Sequence, residues 1–447
     1  MTMTEFLDRD IADQGAALRG GQLRAIDLIE ATLARIGQRN PALNAFVHVD
    51  ADGARHAARM VDDALQRGED PGPLAGIPIA VKDLIDVRGM PGWCGSKALD
   101  PVPATSDARI VAQLRRAGAI IIGKVATYEF ALTGPAWDQP YPPARNPWNP
   151  AHITGGSSSG SAAAVAGGMV RVAIGTDTGG SIRSPASYCG IVGLKPTAGL
   201  VPTGGIHPLS VTLDHAGPLA ASAAEAAMLF GVLAGNDAPP RPGQPVRGMR
   251  IGFARGWLAG AQPTVVAALD DAASQFSLAG ASISVIEMPD YDLFEAAGCV
   301  ILQAEALSEH LDRLASHYDR YGIDARRNLL TGAVLQPEDL AAAHRLAARL
   351  ARDVDDILGG CDAIITATTL QTAPAFDDFG DGAAWTPMRT LPFNVTGHPA
   401  ISLPCGFAEG LPIGLQIIAR RGQDAMLCRI AGAFEGLTAH SLIRPPR

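Results

Sequence analysis

Apolar and polar positions follow two periods along this chain, and the period switches repeatedly between them. Over residues 3–40 the apolar positions recur every three or four residues, which predicts two helices separated at Gly20-Gly21. A short strand is expected at 44–49 and an amphipathic helix over 51–67. Residues 76–83, GIPIAVKD, form a near-continuous apolar run closed by a charged pair, the pattern of a buried parallel strand. A helix follows over 105–117, with Ser106 or Asp107 placed to cap it. Further along, strands are expected at 119–123, 170–175, 250–254, 282–287, 362–366, 400–404 and 413–419. Helices are expected at 159–168, 221–235, 264–279 and 424–435, with two long ones between 291 and 358. Residues 199–220 read as irregular and rich in Gly and Pro.

This alternation predicts an α/β fold, a large sheet covered by helices on both faces. The whole chain, 1–447, is read as one domain. It comprises N-terminal helices over about 1–68, a core over about 70–220, and a part over about 245–447 that completes the same sheet. The stretch 239–248, with Pro-Pro-Arg-Pro-Gly-Gln-Pro, reads as a linker or subdomain edge. No internal repeat or low-complexity tract is present.

Composition narrows the classes. With 47% hydrophobic residues in 447, a large core is available, and a net charge of -9 argues against nucleic acid as a default partner. Six cysteines stand singly, with no CxxC pair, as in a reduced cytoplasmic protein without a zinc site. The opening MTMTEFLDRD is acidic and polar, unlike a signal peptide, and no apolar run reaches the length of a membrane span.

The densest chemistry lies between His152 and Gly199. Two Gly-Ser loops, Gly155–Ser161 and Thr178–Ser181, bracket an Ala/Val/Gly-rich segment. Serines can supply a nucleophile, and exposed N–H groups beside glycine can receive an oxyanion. The same loops also suit phosphate binding, but neither carries the Gly-Lys-Ser/Thr of a P-loop. Gly156–Gly160 matches GxSxG, yet the residues before it read as a loop, whereas an α/β-hydrolase needs a strand there. None of the four lysines stands in SxxK. Lys82 is either a buried amine at the carboxyl edge of a sheet or an ordinary exposed lysine at a strand end.

GGSSSGSAAAVAGG followed by IGTDTGGSIRSPASYCGIVGLKPT resembles the amidase signature family, and GIPIAVKDLIDVRG resembles that family's lysine-bearing strand. The segments LDHAGPLA, CDAIITATT and FNVTGHPAISLP extend the resemblance over most of the chain, with 290–340 the weakest part. The resemblance implies the family's large mixed sheet and a triad in which Ser181 is the nucleophile. Ser157 is then the bridging serine, held in a cis peptide, and Lys82 the base. Thr178, Gly179, Gly180 and Ser181 match the oxyanion loop. Ser158, Ser159 and Ser161 are read as capping the following helix, and Asp177 and Arg183 as holding the loops. No metal or cofactor is implied.

The implied reaction is hydrolysis of a C–N acyl bond, in an amide, aryl amide or carbamate. The alternative is the glutaminase subunit of a tRNA-dependent amidotransferase. Tyr128, Phe130, Leu132, Trp137, Ile206, Leu209, Trp385 and Met388 are the candidates for selecting the substrate, an apolar set that leans away from a charged clamp. The expected partners are a small-molecule amide or carbamate and at most a second copy of the chain, with no nucleic acid and no membrane.

Overall fold

The computed structural model describes residues 3–235, 245–379 and 385–446. Its described strands form one mixed sheet of eleven. They are β1 (Phe46–Val49), β2 (Pro78–Lys82), β3 (Ile120–Val125), β4 (Val172–Asp177), β5 (Val192–Lys195) and β6 (His215–Ala220). The others are β7 (Arg250–Phe253), β8 (Ser282–Val285), β9 (Ala363–Ala367), β10 (Ala400–Ala408) and β11 (Leu411–Ile418). Across the sheet the order is β1-β3-β2-β4-β6-β5-β10-β11-β9-β7-β8. β2 is parallel to both β3 and β4, and β7 to both β8 and β9; the remaining pairs are antiparallel.

Every residue of β2, β3, β4 and β6 is buried. A strand buried at both alternating positions has both faces covered, so the expected covering of the sheet holds at its centre. The parallel pairing of β2 and β4 positions the site. Ile79, Ala80 and Val81 face Val172, Ala173 and Ile174, so Lys82 and Thr176 emerge at the same carboxyl edge. Functional groups gather at that edge in parallel sheets.

Several elements depart from expectation. The N-terminal stretch holds three helices, Met3–Asp8, Ile11–Arg19 and Ala25–Leu43. The helix expected from 105 begins at Arg109 and has no side-chain cap. Asp107 Oδ1 instead accepts from Arg88 N at 2.8 Å, and its other oxygen pairs with Arg115 at 3.1 Å. The segment 199–220 is not irregular throughout, because it ends in β6. His-Ala-Gly-Pro-Leu-Ala is poor strand sequence, and Pro218 has no N–H to give. Tertiary pairing overrides that weakness: a Cβ at Gly217 would stand 2.2 Å from Leu194 O, so this close approach needs glycine. Between 291 and 358 a shorter helix, Ile323–Thr331, separates Tyr291–His317 from Pro337–Gly360. Most of the expected 239–248 linker lies outside the described residues. Among those described, no helix is long and apolar enough to cross a membrane.

Candidate active site

Lys82 ends β2 and is fully buried. Its Nζ donates to Ser157 Oγ at 2.8 Å and to Thr176 Oγ1 at 2.7 Å. Burial pushes the amine down to about 7, against the opposing pull of the Asp177 and Asp214 carboxylates. The first alternative for Lys82, a buried amine at the sheet edge, is therefore the observed one. The Gly156–Ser157 peptide is cis, as the resemblance implied. Gly156 has no room for a side chain, since a Cβ there would stand 2.1 Å from the Tyr128 ring.

Ser157 and Ser181 open onto one cavity of about 350 Å³. The loop that carries Ser181 leaves β4 and is anchored from beneath. Asp177 Oδ1 and Oδ2 accept from Arg183 Nη2 at 2.8 Å and Nε at 3.0 Å, all of it buried. Burial alone would raise the Asp177 carboxyl, but Arg183 and Asn394 hold it well below the usual carboxylate range. Arg183 reaches on to Thr390 O, Gln416 Oε1 and Asn394 Oδ1 at 2.8, 2.7 and 2.6 Å. Asp177 and Arg183 thus hold the loop, as expected.

One member of the expected oxyanion loop is already engaged: Gly180 N–H donates to Asp177 Oδ1 at 2.8 Å. Thr178, Gly179 and Ser181 border the cavity beside it. Thr178 Oγ1 donates to Asp214 Oδ1 at 2.6 Å, and burial brings the Asp214 carboxyl up to about 6. The serines read as helix caps act differently. Ser158 Oγ and Ser161 Oγ donate to Thr176 O and Ile174 O at 3.1 and 3.0 Å, stitching the helix Ser159–Ala166 to β4.

Of the apolar candidates, Tyr128, Leu132, Leu209, Trp385 and Met388 line the cavity. Phe130 does not. It is 1% exposed, and its ring packs on His310, His207 and Tyr321 at 4.5, 5.0 and 5.3 Å. The cause is a left-handed turn, with φ of 49° and 63° at Phe130 and Ala131, which breaks the alternation along the segment. Trp137 is 59% exposed and packs against Phe376 outside the cavity. Ile206 lines a smaller neighbouring recess with Leu209 and Asp214. The sequence reading missed Thr176, and also Glu295, Cys299, Gln303 and Asn328, which line the same cavity as the serines. Their only signal is helical periodicity between 291 and 331, which marks a buried face without saying what it faces.

Residues 27–428 match the amidase family. The chain belongs to the amidase family. A glutamyl-tRNA(Gln) amidotransferase subunit of Chloroflexus aurantiacus is 36% identical over 486 aligned positions, covering 99% of both chains. A crystal structure of an amidase superposes with a TM-score of 0.88 at 32% identity, covering 96% of this chain and 99% of that one. A peptide amidase complexed with the competitive inhibitor chymostatin gives 0.86 at 30% identity, covering 99% and 100%. The resemblance read from the two glycine-serine loops and the lysine strand is thus borne out, and the mixed sheet is the amidase fold. The partner expectation is corrected. A relative aligned along nearly its whole length is named as one subunit of an amidotransferase for a charged tRNA. A small molecule and a second copy therefore do not exhaust the partners that the chain's similarity indicates.

Proposed function

We propose that this amidase is a serine amidohydrolase that breaks a C–N acyl bond through an acyl-enzyme on Ser181. The observation that carries this reading is the buried Lys82 amine, 2.8 Å from the Oγ of Ser157, which lines the same cavity as Ser181. A serine hydroxyl is a weak nucleophile until a base takes its proton, and a lysine serves only when its pKa is lowered. With the amine neutral, the 2.8 Å contact runs the other way, Ser157 O–H donating to the Nζ lone pair. Ser157 passes its proton to Lys82 as it takes the proton of Ser181. Ser181 Oγ bonds to the carbonyl carbon, and the N–H groups of Thr178, Gly179 and Ser181 receive the oxyanion. As the C–N bond breaks, the leaving nitrogen takes the proton back along the same path. Water then hydrolyses the acyl-enzyme. An amide and a carbamate both meet this chemistry.

The lining supports a mostly apolar substrate: Tyr128, Leu132, Leu209, Trp385 and Met388 face it, and no Arg, Lys or His is among the described lining residues. The second reading is the glutaminase subunit of a tRNA-dependent amidotransferase. The relative's name and its full-length alignment support that reading more than the first. The lining pulls the other way, because glutamine carries an α-carboxylate and no cation is among the described lining residues to receive it.

A release assay with the purified chain separates the two. Its arms are an aryl amide, the matched aryl carbamate and glutamine, each with wild type and Ser181→Ala. Release of arylamine that disappears in Ser181→Ala supports the stand-alone hydrolase. Ammonia release from glutamine alone, or only with added partner subunits, supports the amidotransferase reading. Full activity in Ser181→Ala would remove the triad assignment.

A further inference from the structure

One wall of the cavity is a face of the helix Tyr291–His317. Glu295, Gly298, Cys299 and Leu302 stand at i, i+3, i+4 and i+7, the spacing of a single helical face. Glu295 is the one charged side chain among the described lining residues. It is half-buried and makes no hydrogen bond or ion pair with any described residue. Arg389 is a cation whose field reaches it, but three of the five Arg389 N–H groups donate to Trp257 O, Met388 O and Ala259 O at 2.8, 3.2 and 3.3 Å, and none of these hydrogen bonds goes to Glu295. The Arg389 guanidinium itself stacks 4.3 Å over the Tyr291 ring. Among the described lining residues no other side chain carries a charge that a charged group on the substrate could answer.

A carboxylate that has lost part of its water and gained no partner favours a cation placed against it. We infer that Glu295 is a specificity-determining residue, and that the preferred substrates are amides or carbamates with an apolar body and a protonated amine separate from the scissile nitrogen. This rests on the proposed hydrolase reading. It departs from an apolar set that leans away from a charged clamp, and the charged group it invokes comes from the helical segment where the sequence resemblance is weakest.

The test uses three matched substrates: the 4-nitroanilides of 4-(aminomethyl)benzoic acid, 4-methylbenzoic acid and terephthalic acid. They present a cation, a methyl group and an anion on the same frame. A second set carries the same three groups on the leaving arylamine, which covers the opposite orientation in the cavity. The expected result is that in one set the ammonium substrate exceeds its methyl partner in kcat/KM by about tenfold, the low end for a hydrogen bond to a charged group. Glu295→Gln should erase that ratio, and Glu295→Lys should turn it toward the carboxylate substrate. Calorimetry with Ser181→Ala protein reads the same preference as a ratio of affinities, without turnover. Failure of all six substrates to turn over, with the binding ratio present and lost in the Ser181→Ala/Glu295→Gln double variant, would sink the hydrolase reading and leave the Glu295 assignment standing. Ratios unchanged within about twofold by Glu295→Gln, in both turnover and binding, would overturn the assignment.

Discussion

Lys82 works only if its amine is neutral, so its surroundings determine the pH at which the proposed site operates. Burial pushes it from 10.5 down to about 7, and the Asp177 and Asp214 carboxylates resist that change by favouring the ammonium. The sign is direct. Below about 7 the amine is charged and cannot take the Ser157 proton, so kcat/KM should rise with pH through that value and then level. Replacing Lys82 by alanine should cost about 10²–10⁴-fold, the usual worth of a positioned base. Asp214, brought up to about 6, titrates close enough to be confused with Lys82. Asp214→Asn tells them apart in a pH–rate profile. If Lys82 carries the acid limb, removing a carboxylate that favours its charged form moves the limb to lower pH without abolishing it. If Asp214 carries it, the limb vanishes.

Elements outside the central sheet bring the helical wall to the cavity, and one carboxylate ties them there. Glu129, in the loop after β3, accepts from Ser96 Oγ at 2.5 Å and from Gly322 N at 3.0 Å. Gly322 is the residue before the helix Ile323–Thr331, which has no side-chain cap of its own, so Glu129 serves that helix N-terminus from across the fold. Burial raises the Glu129 carboxyl to about 7, opposed by those same hydrogen bonds. With a folded value above the unfolded one, the folded state holds the proton more tightly. Stability from this group is therefore full at low pH and falls as pH rises toward about 7. Glu129→Gln keeps an acceptor and removes the buried charge. It should match wild type near pH 4, below the unfolded value, and exceed it at pH 8 by up to about 3 kcal/mol, from the 1.36 kcal/mol that each pKa unit represents. Melting curves at the two pH values check this, and an advantage no larger at pH 8 would refute it. Sequence pattern could not supply this tie. Periodicity between 291 and 331 announces helices, but Glu129 reads as one polar residue in a loop, and only the fold sets it against Gly322. Lys82, Ser157 and Ser181 are legible because each sits in a contiguous motif at an element end. Phe130 misleads because two left-handed residues reverse a segment that alternates in sequence.

At the scale of the molecule, the nucleophile loop depends on the half of the chain that does not contain it. Lys82, Ser157 and Ser181 all precede residue 236, yet the Arg183 that anchors Asp177 is itself held by Thr390, Asn394 and Gln416. β5, from the first half, pairs along Val192–Lys195 with β6 on one side and β10 on the other. Cutting the chain between 235 and 245 would leave β5 an open apolar edge, a template for aggregation, and would leave the Arg183–Asp177 pair buried against nothing. This interlocking favours the one-domain reading. Residues 1–235 and 245–447, expressed separately, should each be insoluble or fail to melt cooperatively. Refolded together, they should regain serine-directed labelling by a fluorophosphonate, at a level that Ser181→Ala in the first fragment abolishes. Gln416→Ala in the second fragment should lower that labelling although it touches none of the three triad residues, because the Arg183 beneath the nucleophile loop loses a buried partner. Labelling of the first fragment alone at the level of the intact chain would show that the loop holds its geometry without the second half, and that the sheet joins two independent units.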